Sequence, residues 1–255
     1  MARGRTPQQR IAETVAGDLR ERILAGQVRD HLPTQDQLVN EFGVSYPSVR
    51  EALRILETEG LITVRRGSVG GAEVHRPGGA SAAYHLGLVL QGEGVTLGDL
   101  ASALLRLEPL CVGEVARRAD RLTAVVPALT ANVEASALAV ADGVEFTRIA
   151  REFHDLVVAF TPNETIRHVV RSLVALWSAQ EQQWAAALTR RGEYPSVAEA
   201  RSAVRTHRRL VADIAAGHAE DAERFARRHL AATQELLLER FTDDVVSAAP
   251  ARRVR

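Results

Sequence analysis

The stretch Ser45–Val74, SYPSVREALRILETEGLITVRRGSVGGAEV, decides the fold of the first third of the chain. Ser45 is a hydroxyl cap, and Pro47 falls in a first turn, where a missing N–H costs no intrahelical bond. Val49, Leu53 and Leu56 recur at helical spacing as one apolar stripe, which Gly60 ends. "LITVRR" then alternates like a strand, "GSVGG" supplies turn glycines, and "AEV" returns as a second strand.

Two further helices precede this unit. Thr6-Pro7-Gln8-Gln9 reads as a helix start, and Ile11, Val15, Leu19 and Ile23 follow every fourth residue until Gly26. Thr34 and Gln37 make a capping box for a short helix in which Leu38 and Phe42 face inward and Gly43 is the stop. Three helices and a hairpin predict a winged helix-turn-helix over residues 1–75. "HRPGGAS" has linker composition, placing a linker at 76–81.

Beyond it the strand signals cease. Amphipathic periodicity predicts helices near 81–91, 96–119, 122–141, 143–160, 162–190, 196–216 and 219–241, with capping boxes at Thr161–Glu164 and Ser196–Glu199. About seven helices over 82–241 imply an all-α bundle, so the chain is mainly α, and 242–255 reads as a flexible tail.

A chain of 255 residues with 46% hydrophobic and 25% charged residues, and 32 basic against 32 acidic side chains, has the balance of a soluble globular protein of two domains. No apolar run is long enough to span a bilayer and the N-terminus lacks an apolar signal core, which predicts a cytoplasmic protein without membrane contact. Cys111 is the single cysteine, so an internal disulfide is excluded; it reads as a small buried hydrophobe.

Charge does not announce a nucleic-acid binder, since residues 1–76 hold eleven Arg against ten acidic residues. The positive charge is local, with Arg3, Arg5 and Arg10 in the arm and Arg65, Arg66 and Arg76 about the wing. A helix beginning Ser45-Tyr46-Pro47-Ser48 offers hydroxyls, an aromatic ring and free backbone N–H groups to a phosphate or a major groove. Arg50, opposite the buried stripe, can reach a phosphate or a guanine edge, and Arg65 and Arg66 beside Gly67 can grip the backbone. The alternative for this unit is a small interaction domain with a solvated charged face.

"LPTQDQLVNEFGVSYPSVREALRILETEGLITVRRGSVGG" resembles the GntR family of bacterial transcription regulators. The resemblance implies a homodimer that reads a palindromic double-stranded operator and a C-terminal domain that senses a metabolite. By position it places Ser45, Ser48, Arg50 and Gly67 on DNA. Two arginines usual in the family are replaced here by Asp36 and Tyr46, which removes two common base or phosphate contacts.

"LEPLCVGEVARRA", "REFHDLVVAFTPNETI" and "THRRLVADIAAGHAEDAERFARRHL" resemble the FCD ligand-binding domain of the FadR subfamily. In many such domains one Asp and three His hold a divalent metal, and the three His positions are occupied by His154, His207 and His229. The Asp position is Ala150, and an Arg often found near the "LE" motif is Leu104. The effector pocket implied by the resemblance includes Leu104, Ala150 and Arg151, with a small carboxylate or acyl compound as effector. Three imidazoles suffice for Zn²⁺ or Ni²⁺, to be lost below about pH 6; alternatively they line a metal-free pocket. His31, His75, His85, His168 and His218 read as surface or structural.

These residues predict a ligand-responsive transcription regulator, with a repressor ahead of an activator or a metal-free acyl-ligand regulator. A metal-dependent hydrolase is the distant rival, because three histidines with open coordination also describe catalytic zinc.

Overall fold

The computed structural model describes residues 7–64, 71–75, 79–189 and 196–248. The chain divides into two compact units, Met1–Ser81 and Ala82–Arg255. The first contains α1 (Pro7–Leu24), α2 (Gln35–Phe42), α3 (Tyr46–Thr58), β1 (Ile62–Val64) and β2 (Ala72–Val74). Its core joins Val15, Leu19 and Ile23 of α1 to Leu38 of α2 and to Val49, Leu53 and Leu56 of α3.

Ile11, expected in that stripe, is 43% exposed, and Ala12 is buried instead. Four-residue spacing advances about 40° per step on a helix, so the three steps from Ile11 to Ile23 turn the stripe by about 120° and carry its first residue to the edge of the buried face. The predicted box at Thr34 and Gln37 closes in both directions, and Gly43 stops α2 at φ 61° in the left-handed region. Thr6, expected to cap α1, lies outside the described residues.

β1 and β2 pair antiparallel with Ile62 opposite Val74. Asp30–Leu32 adds a third partner that the sequence did not reveal: Val74 N–H donates to Asp30 O, Leu32 N–H donates to Ala72 O, and His31 bridges Glu73. His75, expected as surface or structural, meets the Thr63 hydroxyl at 2.8 Å. Arg65, Arg66 and Gly67 lie outside the described residues.

The second unit is helical: α4 (Gly79–Gly92, entered from the first unit), α5 (Leu97–Ala116), a π-helical turn (Arg121–Val125), α6 (Val126–Leu138), α7 (Gly143–Ala159), α8 (Glu164–Thr189), α9 (Val197–Ala216) and α10 (Ala219–Phe241). α4 begins inside the segment expected to be linker, so helix replaces linker from Gly79. The π turn runs directly into α6, whose second residue is Pro127. α5 and α10 pack along each other, and Leu97, Leu100, Leu104, Leu129, Phe153, Leu210 and Ile214 fill the core. No helix among the described residues is long and apolar enough to cross a membrane.

Two further expectations are corrected. Thr161 does not cap α8: its buried hydroxyl bonds back to Val157 O, and Asn163 Oδ1 accepts from Ile166 N–H instead. The segment after α10 is docked as far as Ala248. Leu97 N–H donates to Asp244 O, Val246 N–H donates to Val95 O, Gln180 Nε2 donates to Ser247 O, and Val246 is fully buried. The backbone bonds and a buried valine hold a segment that its position near the terminus suggested would be loose.

Candidate functional site

The first candidate surface is the N-terminal end of α3. Ser45 takes extended backbone angles as the cap, yet its hydroxyl bonds no backbone N–H and instead lies 3.1 Å from Ser48 Oγ. Ser48 is 2% exposed, which corrects its expected place on DNA: at the third position of the helix its side chain turns inward to Ser45. Tyr46, Pro47 and Arg50 are exposed. The Tyr46 hydroxyl donates to Asp36 Oδ1 at 3.0 Å, and the carboxylate holds the phenol pKa above its ordinary value. The two positions that depart from the resemblance are therefore hydrogen-bonded to each other.

The second site lies inside the helical unit, where α7, α9 and α10 bring together His154, His207 and His229. Their ligand atoms all lie within 4.8 Å of one another. His207 Nε2 and His229 Nε2 are 3.1 Å apart, and the Phe153 ring stacks on His207 with centroids 4.1 Å apart. Burial, with the neighbouring histidines, pushes His207 well below the ordinary imidazole range and His229 down to about 3. Both are neutral at pH 7, the state in which an imidazole offers a lone pair.

Glu108 on α5 completes the arrangement. Its buried carboxylate lies 2.5 Å from His154 Nδ1 and holds the ring with Nε2 free to face the other two histidines. Glu108 belongs to the "LE" motif, but its contact spans 46 residues and no local pattern announces it. It also places a carboxylate beside the histidines.

The donor set fits a divalent ion. Ligands about 2.0–2.1 Å from a tetrahedral zinc are about 3.3 Å apart, close to the His207–His229 separation. A buried carboxylate behind one ligand is a familiar way to orient it. Ala150, where the resemblance expects a carboxylate, lines the same cavity of about 60 Å³ with Arg151, Glu181 and the three histidines. Only the fourth protein ligand is missing from the expected set.

Leu104 and Arg151 line an adjoining cavity with Glu108, His154 and Trp177. Arg151 donates to Ser178 Oγ and pairs with Glu181, which also accepts from Trp177 Nε1 at 3.0 Å. Sequence reasoning missed Glu181 and Trp177, because the Arg151–Glu181 contact crosses between α7 and α8.

Comparison with known proteins gives both units a family. The family model for bacterial regulatory proteins of the gntR family matches residues 11–70, and that for the FCD domain matches residues 99–232. The Exu regulon transcriptional regulators of Escherichia coli (strain K12) and Shigella flexneri are each 43% identical over 65 residues, 25% of this chain. The chain thus aligns with a quarter of the length of these curated relatives. Among solved structures, Streptococcus agalactiae GntR is 19% identical with a TM-score of 0.63, covering 88% of this chain and 99% of that one, a likeness of fold. The family matched over the first unit is one of bacterial regulatory proteins, and this gives the regulator reading precedence over the hydrolase. The chain belongs to the gntR family of bacterial regulatory proteins, and its second unit is an FCD domain.

Proposed function

We propose that this regulator is a cytoplasmic repressor that binds a palindromic operator as a homodimer and is controlled by a small acid or acyl metabolite. The first unit, residues 1–75, serves as the DNA-binding domain, and residues 82–241 as the effector-binding and dimerisation domain. The observation that carries the reading is the coincidence of a family match over each unit with three neutral histidines converging on a cavity in the second.

On DNA, Tyr46, Pro47 and Arg50 face the groove, and Ser45 sets the helix start. Arg65, Arg66 and Gly67 form the wing contact. In the helical unit His154, His207 and His229 hold a divalent ion, zinc or nickel, with Glu108 orienting His154. Such an ion supplies a Lewis acid with open positions for an effector carboxylate. Leu104 and Ala150 shape the cavity, and Arg151 presents a guanidinium to an anionic group. The effector switches DNA binding only through a different affinity for the competent and incompetent states.

Ala150 favours a second reading, in which the histidines line a metal-free pocket for an acyl ligand. Selection of bound sequences from a random DNA pool tests the common core of both: enrichment of a palindrome is expected, and enrichment of no sequence overturns DNA regulation.

With the selected operator in hand, Arg50→Ala is expected to weaken binding by about 1–3 kcal/mol, the range of a side chain that reaches a base or phosphate. Neutralising Arg65 or Arg66 lowers the salt slope of binding by about one, because one fewer counterion is released. Anisotropy titrations at several salt concentrations check both. Wild-type affinity and slope in all three variants would remove these residues from the interface.

A further inference from the structure

Asp36 and Tyr46 sit on different helices and meet on the exposed face that carries the start of α3. Asp36 lies in the first turn of α2, and Tyr46 is the first residue of α3. In a helix-turn-helix the second helix of the motif presents its N-terminal residues to base edges in the major groove. Here that end carries no guanidinium until Arg50, and it carries a carboxylate bonded to a phenol.

The direction of that bond determines what the pair offers. The phenol proton goes to Asp36 Oδ1, so the Tyr46 oxygen keeps only lone pairs for a further partner. Asp36 Oδ2 is likewise an acceptor. Two acceptors side by side repel a guanine edge, which offers N7 and O6, both acceptors. Cytosine presents the N4 amino group as a donor, whereas adenine pairs its N6 donor with an N7 acceptor. An acceptor of the pair can thus take the one N4 proton that cytosine leaves free of its base pair, whereas adenine sets its N7 acceptor beside the N6 donor.

We propose that Asp36 and Tyr46 act as one base-reading unit that selects cytosine and rejects guanine at one position of each operator half-site. The inference rests on the DNA-binding reading above and adds the class of base. Tyr46 positions the carboxylate by fixing Asp36 Oδ1, and Asp36 in turn holds the phenol so that its lone pairs face outward. Neither residue does this as sharply alone: a free Asp36 would swing among rotamers, and a free phenol could donate its proton to guanine O6.

The test is selection from a random pool with the full-length protein, its Asp36→Asn variant and its Tyr46→Phe variant, followed by titration of operators carrying cytosine or guanine at the position that changes. Both side chains lie on the surface, and melting curves of the three proteins verify that the fold is unaltered. Wild type should prefer cytosine over guanine by on the order of 10- to 100-fold, the range of one well-made base contact. Asp36→Asn replaces an acceptor by an amide that also donates, so guanine and adenine become acceptable and the preference collapses. Tyr46→Phe removes the proton that fixes the carboxylate, and the preference shrinks while cytosine stays first. A palindrome that is enriched identically by all three proteins overturns this inference and leaves DNA regulation standing. No enriched palindrome with wild type overturns both.

Discussion

Adding Zn²⁺ or Ni²⁺ to chelator-stripped protein is expected to raise its melting temperature, and His207→Ala to abolish the rise. A ligand that binds only the folded state stabilises it by RT ln(1 + [L]/Kd), about 2.7 kcal/mol at a hundredfold excess over Kd. For a domain of about 150–250 residues this corresponds to roughly 5–10 °C. His207 is the sharpest place to test it, because it is buried, stacked on Phe153 and 3.1 Å from His229. Ala150→Asp should enlarge the shift by adding an anionic ligand to the cavity that Ala150 already lines. Elemental analysis of protein purified without chelator or affinity tag gives the stoichiometry. Substoichiometric metal with no melting shift would hand the site to the metal-free reading.

The pH dependence follows from the same burial. In the unfolded chain His207 and His229 titrate near 6.5, while in the folded chain both are held lower, His229 at about 3. Between these values the unfolded state binds more protons, so stability rises with pH through that window. Their contribution is complete above about pH 6.5 and is lost as pH falls toward 3. Loss of metal below about pH 6, expected for ordinary imidazoles, is therefore deferred at these two ligands to lower pH. Melting curves from pH 7 to 4, with and without metal, read this directly.

Local signals carried most of the fold. The capping boxes at Thr34 and Ser196, and the left-handed Gly43 and Gly217, close where a hydroxyl, a Gln or Glu three residues on, and a glycine stop predict. The errors arose where a local pattern competed with a distant partner. Thr161 matches a capping box, but its hydroxyl is taken by the last turn of α7. Asp244 and Val246 read as tail until Leu97 and Val95, at and just before the start of α5, supply their backbone partners. The spacing of His207 and His229 on consecutive antiparallel helices allows them to meet, but His154 was legible only through family resemblance, because its sequence separation from His207 says nothing of distance across a bundle. Glu108 and Glu181 were not legible as site residues, since each is defined by a contact between helices.

Glu181→Ala is expected to destabilise the helical unit by about 3–5 kcal/mol, the range found when one partner of a buried ion pair is removed. The Arg151 side chain is 13% exposed and that of Glu181 4%, so neither charge is well solvated. Removing the carboxylate leaves the guanidinium in that environment and also deprives Trp177 Nε1 of its acceptor. Arg151→Met removes the guanidinium and leaves the buried carboxylate with the bond from Trp177 Nε1 but without its cation. The double variant Arg151→Met with Glu181→Leu removes both charges and fills much of the same volume, so it should recover most of the loss. Urea unfolding of the two single variants and the double one closes a cycle whose interaction energy isolates the pair. Single variants within about 0.5 kcal/mol of wild type would show that solvent reaches these charges and that the pair is not buried in solution. A large loss in the singles with recovery in the double identifies Arg151 as a guanidinium held in place by Glu181, which any anionic effector in the cavity must then compete to reach.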